Sequence, residues 1–196
     1  MKCRVATIFT LLILNWGVAV GASAPSGPRP EATDASLNQG AEIYLRRCSF
    51  CHGLLGDGNG PAADFLDPRP RDFTLGTFKF RTTQSGELPR DEDLFRTISR
   101  GLSGTAMQAF DSDLIKNGLS ENERWAVIDY IKTFAIEFDD PELDPVKNDL
   151  VVALPSERPA YSEALVAKGK EVFEHAKCWE CHGKLGRGDG QKSFDR

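Results

Sequence analysis

The sequence predicts an all-α fold with an internal duplication. Two observations carry this. Apolar residues recur at helical spacing in several stretches, separated by segments rich in proline and glycine rather than by sustained alternation. The pentapeptide Cys48-Ser49-Phe50-Cys51-His52 also returns as Cys178-Trp179-Glu180-Cys181-His182, each copy preceded by a helical stretch and followed by glycine.

The spacing Cys-x-x-Cys-His suits covalent attachment of a c-type haem. Two thiols two residues apart reach the two vinyl groups of one porphyrin, and the histidine that follows becomes the proximal iron ligand. Cys48, Cys51 and His52 form one such set, and Cys178, Cys181 and His182 the other, so two covalent haem c groups with their iron are expected. A structural zinc site needs two ligand pairs closing one tetrahedron, and these pairs belong to separate copies of a repeat. A thioredoxin-like redox pair needs a βαβ surround, which the sequence does not offer.

Residues 1–24 read as an export signal: Lys2 and Arg4 precede an apolar run from Val5 to Leu14, and small residues stand at 20–24. Cleavage after Ala22 is favoured, because the later site leaves Pro25 beside the cut. The rival reading is a retained anchor, but the apolar run is short for spanning a bilayer. Cys3 leaves with the signal, and the other four cysteines all lie in the two motifs, which leaves no disulfide framework. Haem is attached after export, so signal and motif agree on the periplasm or the outer face of the cytoplasmic membrane. The formal charge of −5 becomes −7 once Lys2 and Arg4 are lost. That argues against nucleic acid as a partner and favours redox partner proteins with a complementary, basic docking surface.

Residues 25–34 are Pro-rich and polar, and read as a flexible leader. A helix is expected over 35–47, with Leu37, Ala41, Tyr44 and Leu45 on one face. Gly40 on the same side weakens the helix and so predicts close approach by another. Residues 53–60 are a turn-rich loop, and 61–90 a long irregular segment with a short strand over 77–82. That segment interleaves Arg69, Arg71, Lys79, Arg81 and Arg90 with Phe73, Phe78 and Phe80. Arg71 and Arg81 are the candidates to hold haem propionates by charge-assisted bonds.

A helix over 91–100 carries acid in its first turn and Arg100 in its last, as the helix dipole prefers. Gly101 stops it. Ser120 and Glu123 make a capping box for a helix over 121–134, with Val127, Ile131 and Phe134 inward and Asp129, Lys132 and Thr133 outward. Residues 139–160 are acidic, contain four prolines, and read as a linker. The pattern restarts over 162–177, with Leu165, Gly169, Val172 and Phe173 inward. His175 reads as a surface histidine.

Gly40-x-x-x-Tyr44 before the first motif answers Gly169-x-x-x-Phe173 before the second, and His52-Gly53-x-x-Gly56-x-Gly58 answers His182-Gly183-x-x-Gly186-x-Gly188. Met107 stands 55 positions after His52, whereas 14 residues follow His182, so the second copy is expected to be incomplete. With these motifs in hand, residues 35–138 resemble a class I cytochrome c domain, and 161–196 resemble the start of a second, as in di-haem cytochromes c. The resemblance implies the cytochrome c fold, with Gly40 and Tyr44 on a first helix crossing Trp125 and Tyr130 on a last one. It also implies Met107 as the sixth iron ligand, although Gln108 stands where proline is usual. Met107 is the only methionine besides Met1. With both axial positions filled, the expectation is electron transfer by one-electron cycling between ferric and ferrous iron, in an exported respiratory or oxidoreductase chain, and not catalysis. A membrane-bound oxidoreductase complex is a candidate partner. The alternative is the haem-bearing part of a di-haem peroxidase, which needs an open axial position.

Overall fold

The computed structural model describes residues 24–153 and 159–193, so the export signal expected over 1–24 lies, but for Ala24, outside them. The chain divides into two compact units, 1–153 and 154–196.

In the first unit, α1 (Asp34–Arg47) starts where Thr33 and Ser36 exchange side-chain to backbone bonds in a capping box. A single helical turn, α2 (Ser49–His52), follows at once. After the long segment come α3 (Asp91–Arg100) and α4 (Glu121–Lys132). The Ser120–Glu123 capping box opens α4 as the sequence implies. Gly101, at φ 65°, closes α3, a conformation that costs glycine nothing.

The core forms where α1 crosses α4 and α3 lies beside α4. A Cβ on Gly40 would stand 2.7 Å from the Ala126 carbonyl carbon and 3.0 Å from Tyr130 Cβ. Only glycine lets the two backbones approach so closely. Tyr44 then packs against Tyr130 and Phe134 at ring separations of 5.4 and 5.1 Å. Phe95 of α3 stacks on Trp125 of α4 at 4.3 Å. The buried face of α1 runs through Gly40, Ile43 and Tyr44, while Leu45, expected inward, is 59% exposed. The crossing centres on Gly40, which turns Ile43 into the core and Leu45 out of it.

Three further expectations meet a different arrangement. Residues 25–33 are not loose: Arg29 forms ion pairs with Asp91 at 2.9 Å and with Asp129, and Ser26 bonds Glu121. Asp129, expected outward, is therefore buried under that guanidinium. No strand forms over 77–82; among the described residues only isolated bridges occur, one between Thr83 and Val151. That bridge explains the third difference. Gln84 N donates to Leu150 O at 3.0 Å and Val152 N to Thr82 O at 2.8 Å, so residues 139–153, read as the first part of a linker, close against the first unit.

The second unit carries α5 (Glu163–His175) and a single turn α6 (Trp179–His182). No residue of α5 is buried, His175 included, and a Cβ on Gly169 would meet nothing within 4 Å.

Candidate haem site

Local bonding fixes the motif. Cys48 N donates to Tyr44 O at 2.9 Å, ending α1, and His52 N donates to Cys48 O at 2.9 Å, closing the α2 turn. Gly53 leaves that turn at φ 79°, and the Tyr44 hydroxyl, inside the core, donates to Gly53 O at 2.7 Å. Burial raises the Tyr44 phenol above its ordinary value, so it remains a donor. The result is a rigid bracket in which the α1–α4 crossing sets the position of the histidine.

His52 is held from two sides. Its Nδ1 lies 2.9 Å from the backbone oxygen of Arg71, and Phe73 stacks on its ring at 4.4 Å with 16° between planes. A carbonyl oxygen only accepts, so Nδ1 carries the proton and Nε2 keeps its lone pair for a metal. Burial lowers the His52 pKa, which favours the neutral ring that ligation requires.

Cys48, Cys51, His52 and Met107 all line one cavity of about 470 Å³, within the range of small-molecule and cofactor sites. Its walls include Phe78, Leu94, Ile98, Phe110, Val127 and Ile131. Arg47, Arg69, Arg71 and Lys79 also line it, and no carboxylate does among the described residues. This set fits a haem: apolar walls for the macrocycle, cations for two propionates, two thiols, one oriented imidazole and one thioether. Burial and the neighbouring Cys51 push the Cys48 thiol up to about 12. A thioether carries no ionisable proton, so covalent attachment suits that buried position.

The predicted site residues are not all brought together. Arg71 reaches the cavity wall, and its backbone oxygen also orients His52. Arg81 does not line the cavity; its guanidinium bonds the backbone oxygens of Gln84, at 3.0 Å, and Phe78. Lys79, Arg69 and Arg47 line it instead. Phe73's stacking role left no signal beyond an aromatic near a basic run, and a backbone oxygen leaves none at all.

Met107 is presented by a folded-back segment. Leu102 N donates to Met107 O at 2.9 Å, and Met107 N to Thr105 Oγ1 at 3.1 Å. A Cβ on Gly101 would stand 2.5 Å from Met107 O, so glycine is needed there too. In the second unit, Cys178, Cys181 and His182 repeat the backbone turn, with His182 N on Cys178 O at 2.9 Å and Gly188 N on His182 O at 2.8 Å.

The family model for cytochrome c oxidase, cbb3-type, subunit III matches residues 35–131. A solved chain of the Kuenenia stuttgartiensis reducing HAO-like protein complex superposes with a TM-score of 0.67 at 37% identity, over 84% of this chain and 68% of that one. The chain belongs to the c-type cytochromes. The cytochrome is also similar to the cbb3-type cytochrome c oxidase subunit CcoP of Helicobacter pylori strain ATCC 700392 / 26695. The two are 23% identical over 155 residues, which is 78% of this chain and 39% of that protein. The CcoP of strain 52 gives the same identity over 38% of its length. The cytochrome thus spans about two fifths of the curated relatives it matches. Membership of the family implies covalently bound haem c with iron, an all-α cytochrome fold and haem-based electron transfer.

Proposed function

We propose that this cytochrome is an electron-transfer subunit carrying two haem c groups, one per unit. Cys48 and Cys51 would attach the first, with His52 and Met107 to hold its iron; Cys178 and Cys181 would attach the second, with His182 to hold its iron. The sequence sets the cytochrome domains at 35–138 and 161–196, and residues 139–153 close against the first of them. The observation that supports this best is the single cavity lined by both thiols, an imidazole with its proton committed to the Arg71 oxygen, and the thioether of Met107.

The bound iron porphyrin supplies a one-electron ferric–ferrous couple. The chain's residues do the rest. Phe73 and the Arg71 oxygen keep the imidazole in one orientation, apolar walls keep water out, and Arg71 with Lys79 or Arg69 balances propionate charge. Held by His52 and the Met107 thioether, the iron would have a higher potential than with two histidines and would leave no ligand position to a substrate. The setting is an exported respiratory or oxidoreductase chain, in the periplasm or on the outer face of the cytoplasmic membrane. Its partners are redox proteins with complementary docking surfaces, or a membrane-bound oxidoreductase complex. Among the described residues no helix is long and apolar enough to cross a membrane.

Haemochrome assay of the exported protein tests the count, with two covalent haems per chain expected. The methionine–iron charge-transfer band tests the ligand: it should be present in the wild type and absent in Met107→Ala. Persistence of the band in that variant refutes the assignment. The alternative, the haem-bearing part of a di-haem peroxidase, would need an iron with an open axial position. Hydrogen peroxide turnover above background by the loaded protein would favour it.

A further inference from the structure

We propose that a buried polar cluster of Asp111, Arg124 and Ser99 holds the Met107 segment in place, and so sets how firmly the thioether stays on the iron. The inference rests on Met107 as axial ligand. None of the three side chains lines the cavity, so they are positioning residues.

The geometry is specific. Arg124 of α4 forms an ion pair with Asp111, and its Nη1 donates to Ser99 Oγ of α3 at 2.9 Å. Its guanidinium lies over the Phe95 ring at 4.6 Å. The other Asp111 oxygen accepts from Asp113 N at 2.9 Å. Asp111 is 1% exposed, Ser99 0% and Arg124 5%. Asp111 stands four residues after Met107, where the segment rejoins the core: Phe110 N donates to Ile98 O at 3.0 Å, and Leu119 N to Phe110 O at 2.5 Å. The cluster thus ties the far end of the Met107 segment to both helices behind the cavity. Its near end is tied by Gly101.

A buried ion pair is weak evidence for stability, because desolvation offsets the Coulomb attraction, and apolar residues of similar summed volume often replace it without loss. The Arg124–Ser99 and Asp113–Asp111 hydrogen bonds are directional and fix geometry in a way apolar packing does not. The cluster's contribution is therefore the placement of Met107, on a segment held locally by backbone bonds and by the Thr105 hydroxyl.

The test uses the full haem-loaded chain. Imidazole is titrated into the ferric protein while the methionine–iron band is followed, and thermal unfolding is measured in parallel. The variants are Asp111→Asn, Ser99→Ala and the double variant Asp111→Leu with Arg124→Met. In the double variant the unfolding midpoint should stay near the wild-type value, while imidazole displaces the band at a concentration roughly fivefold lower or less, the low end of coupling between linked sites. Ser99→Ala should shift the displacement in the same direction by a smaller factor. Lowered midpoints with unchanged displacement would overturn the inference and make the cluster purely structural. No band in the wild type would overturn Met107 ligation, and this inference with it. A wild-type band whose displacement the variants leave unmoved overturns the inference alone.

Discussion

Replacing Gly40 by alanine should weaken the first unit, although alanine is the better helix former. The new methyl carbon would sit 2.7 Å from the Ala126 carbonyl carbon and closer still to its oxygen. Carbon atoms rest about 3.5–4.0 Å apart, so the helices must separate by roughly 1 Å. The obstacle is backbone, which no rotamer change removes. Overpacking of this kind costs up to about 3 kcal/mol. The alanine-for-glycine gain within a helix offsets about 1 kcal/mol, which leaves a net loss of about 2 kcal/mol. At about 4 °C per kcal/mol for a domain of this size, the midpoint should fall by roughly 8 °C. The control is Gly169→Ala at the matching position of α5, where nothing lies within 4 Å. There only the helix gain of roughly 0.5–1 kcal/mol acts, and helicity should rise. Thermal unfolding by circular dichroism on the haem-loaded chain measures both. If Gly40→Ala leaves the midpoint unchanged, or moves it the same way as Gly169→Ala, the close crossing is wrong.

Arg29→Ala should cost about 1–3 kcal/mol in denaturant unfolding, less than the 3–5 kcal/mol of a fully buried pair, because Arg29 is partly exposed while Asp129 is buried. A loss below roughly 0.5 kcal/mol, the scale of exposed pairs, would show the strap to be idle. Tyr44→Phe should change the alkaline limb of stability. The folded pKa is raised above the ordinary value of 10.0, so the folded state holds this proton more tightly than the unfolded chain. The associated stability is complete below pH 10 and declines as pH rises above it. Unfolding titrations between pH 9 and 12 should therefore lose slope in Tyr44→Phe, and identical slopes would contradict the buried donor.

Much of the fold was legible because its signals are local. Helix limits followed from the period of apolar residues and from capping residues such as Ser120, Glu123 and Gly101, which act within a few positions. Gly40 was readable as a crossing because glycine in an otherwise good helix needs a reason. The misread elements depend on partners far along the chain. Asp129 looked solvent-facing until Arg29, 100 positions earlier, came to lie on it. Arg124 drew no expectation from the sequence, and it is buried against Asp111 and Ser99, 13 and 25 positions earlier. Residues 139–153 had the composition of a linker, and only the pairing of 82–84 with 150–152 brings them back. Arg81 and Lys79 are interchangeable in sequence terms, two residues apart in a basic run, and only the backbone path decides that Lys79 lines the cavity while Arg81 turns to carbonyl oxygens.

The two copies of the pentapeptide separate what the motif encodes from what the fold must add. Their backbone turns match: His52 N on Cys48 O and His182 N on Cys178 O, Gly53 N on Ser49 O and Gly183 N on Trp179 O, all at 2.9 Å, although the Tyr44 hydroxyl bond to Gly53 O has no counterpart at Phe173. Their glycines take matching positive φ values, 79° and 74° at Gly53 and Gly183, 71° and 77° at Gly58 and Gly188. What differs is the surround. A Cβ on Gly56 would strike the Phe134 ring and one on Gly58 the Pro70 oxygen, whereas Gly186 and Gly188, like Gly169, meet nothing within 4 Å among the described residues. The turn that presents two thiols and an imidazole is thus specified within about a dozen residues. A cavity of about 470 Å³ needs segments from four further parts of the first unit. On the proposed ligation, attachment of the group and control of its iron would be separate properties of this chain, the first set by the repeated turn and the second by the α1–α4 crossing and the segment that carries Met107.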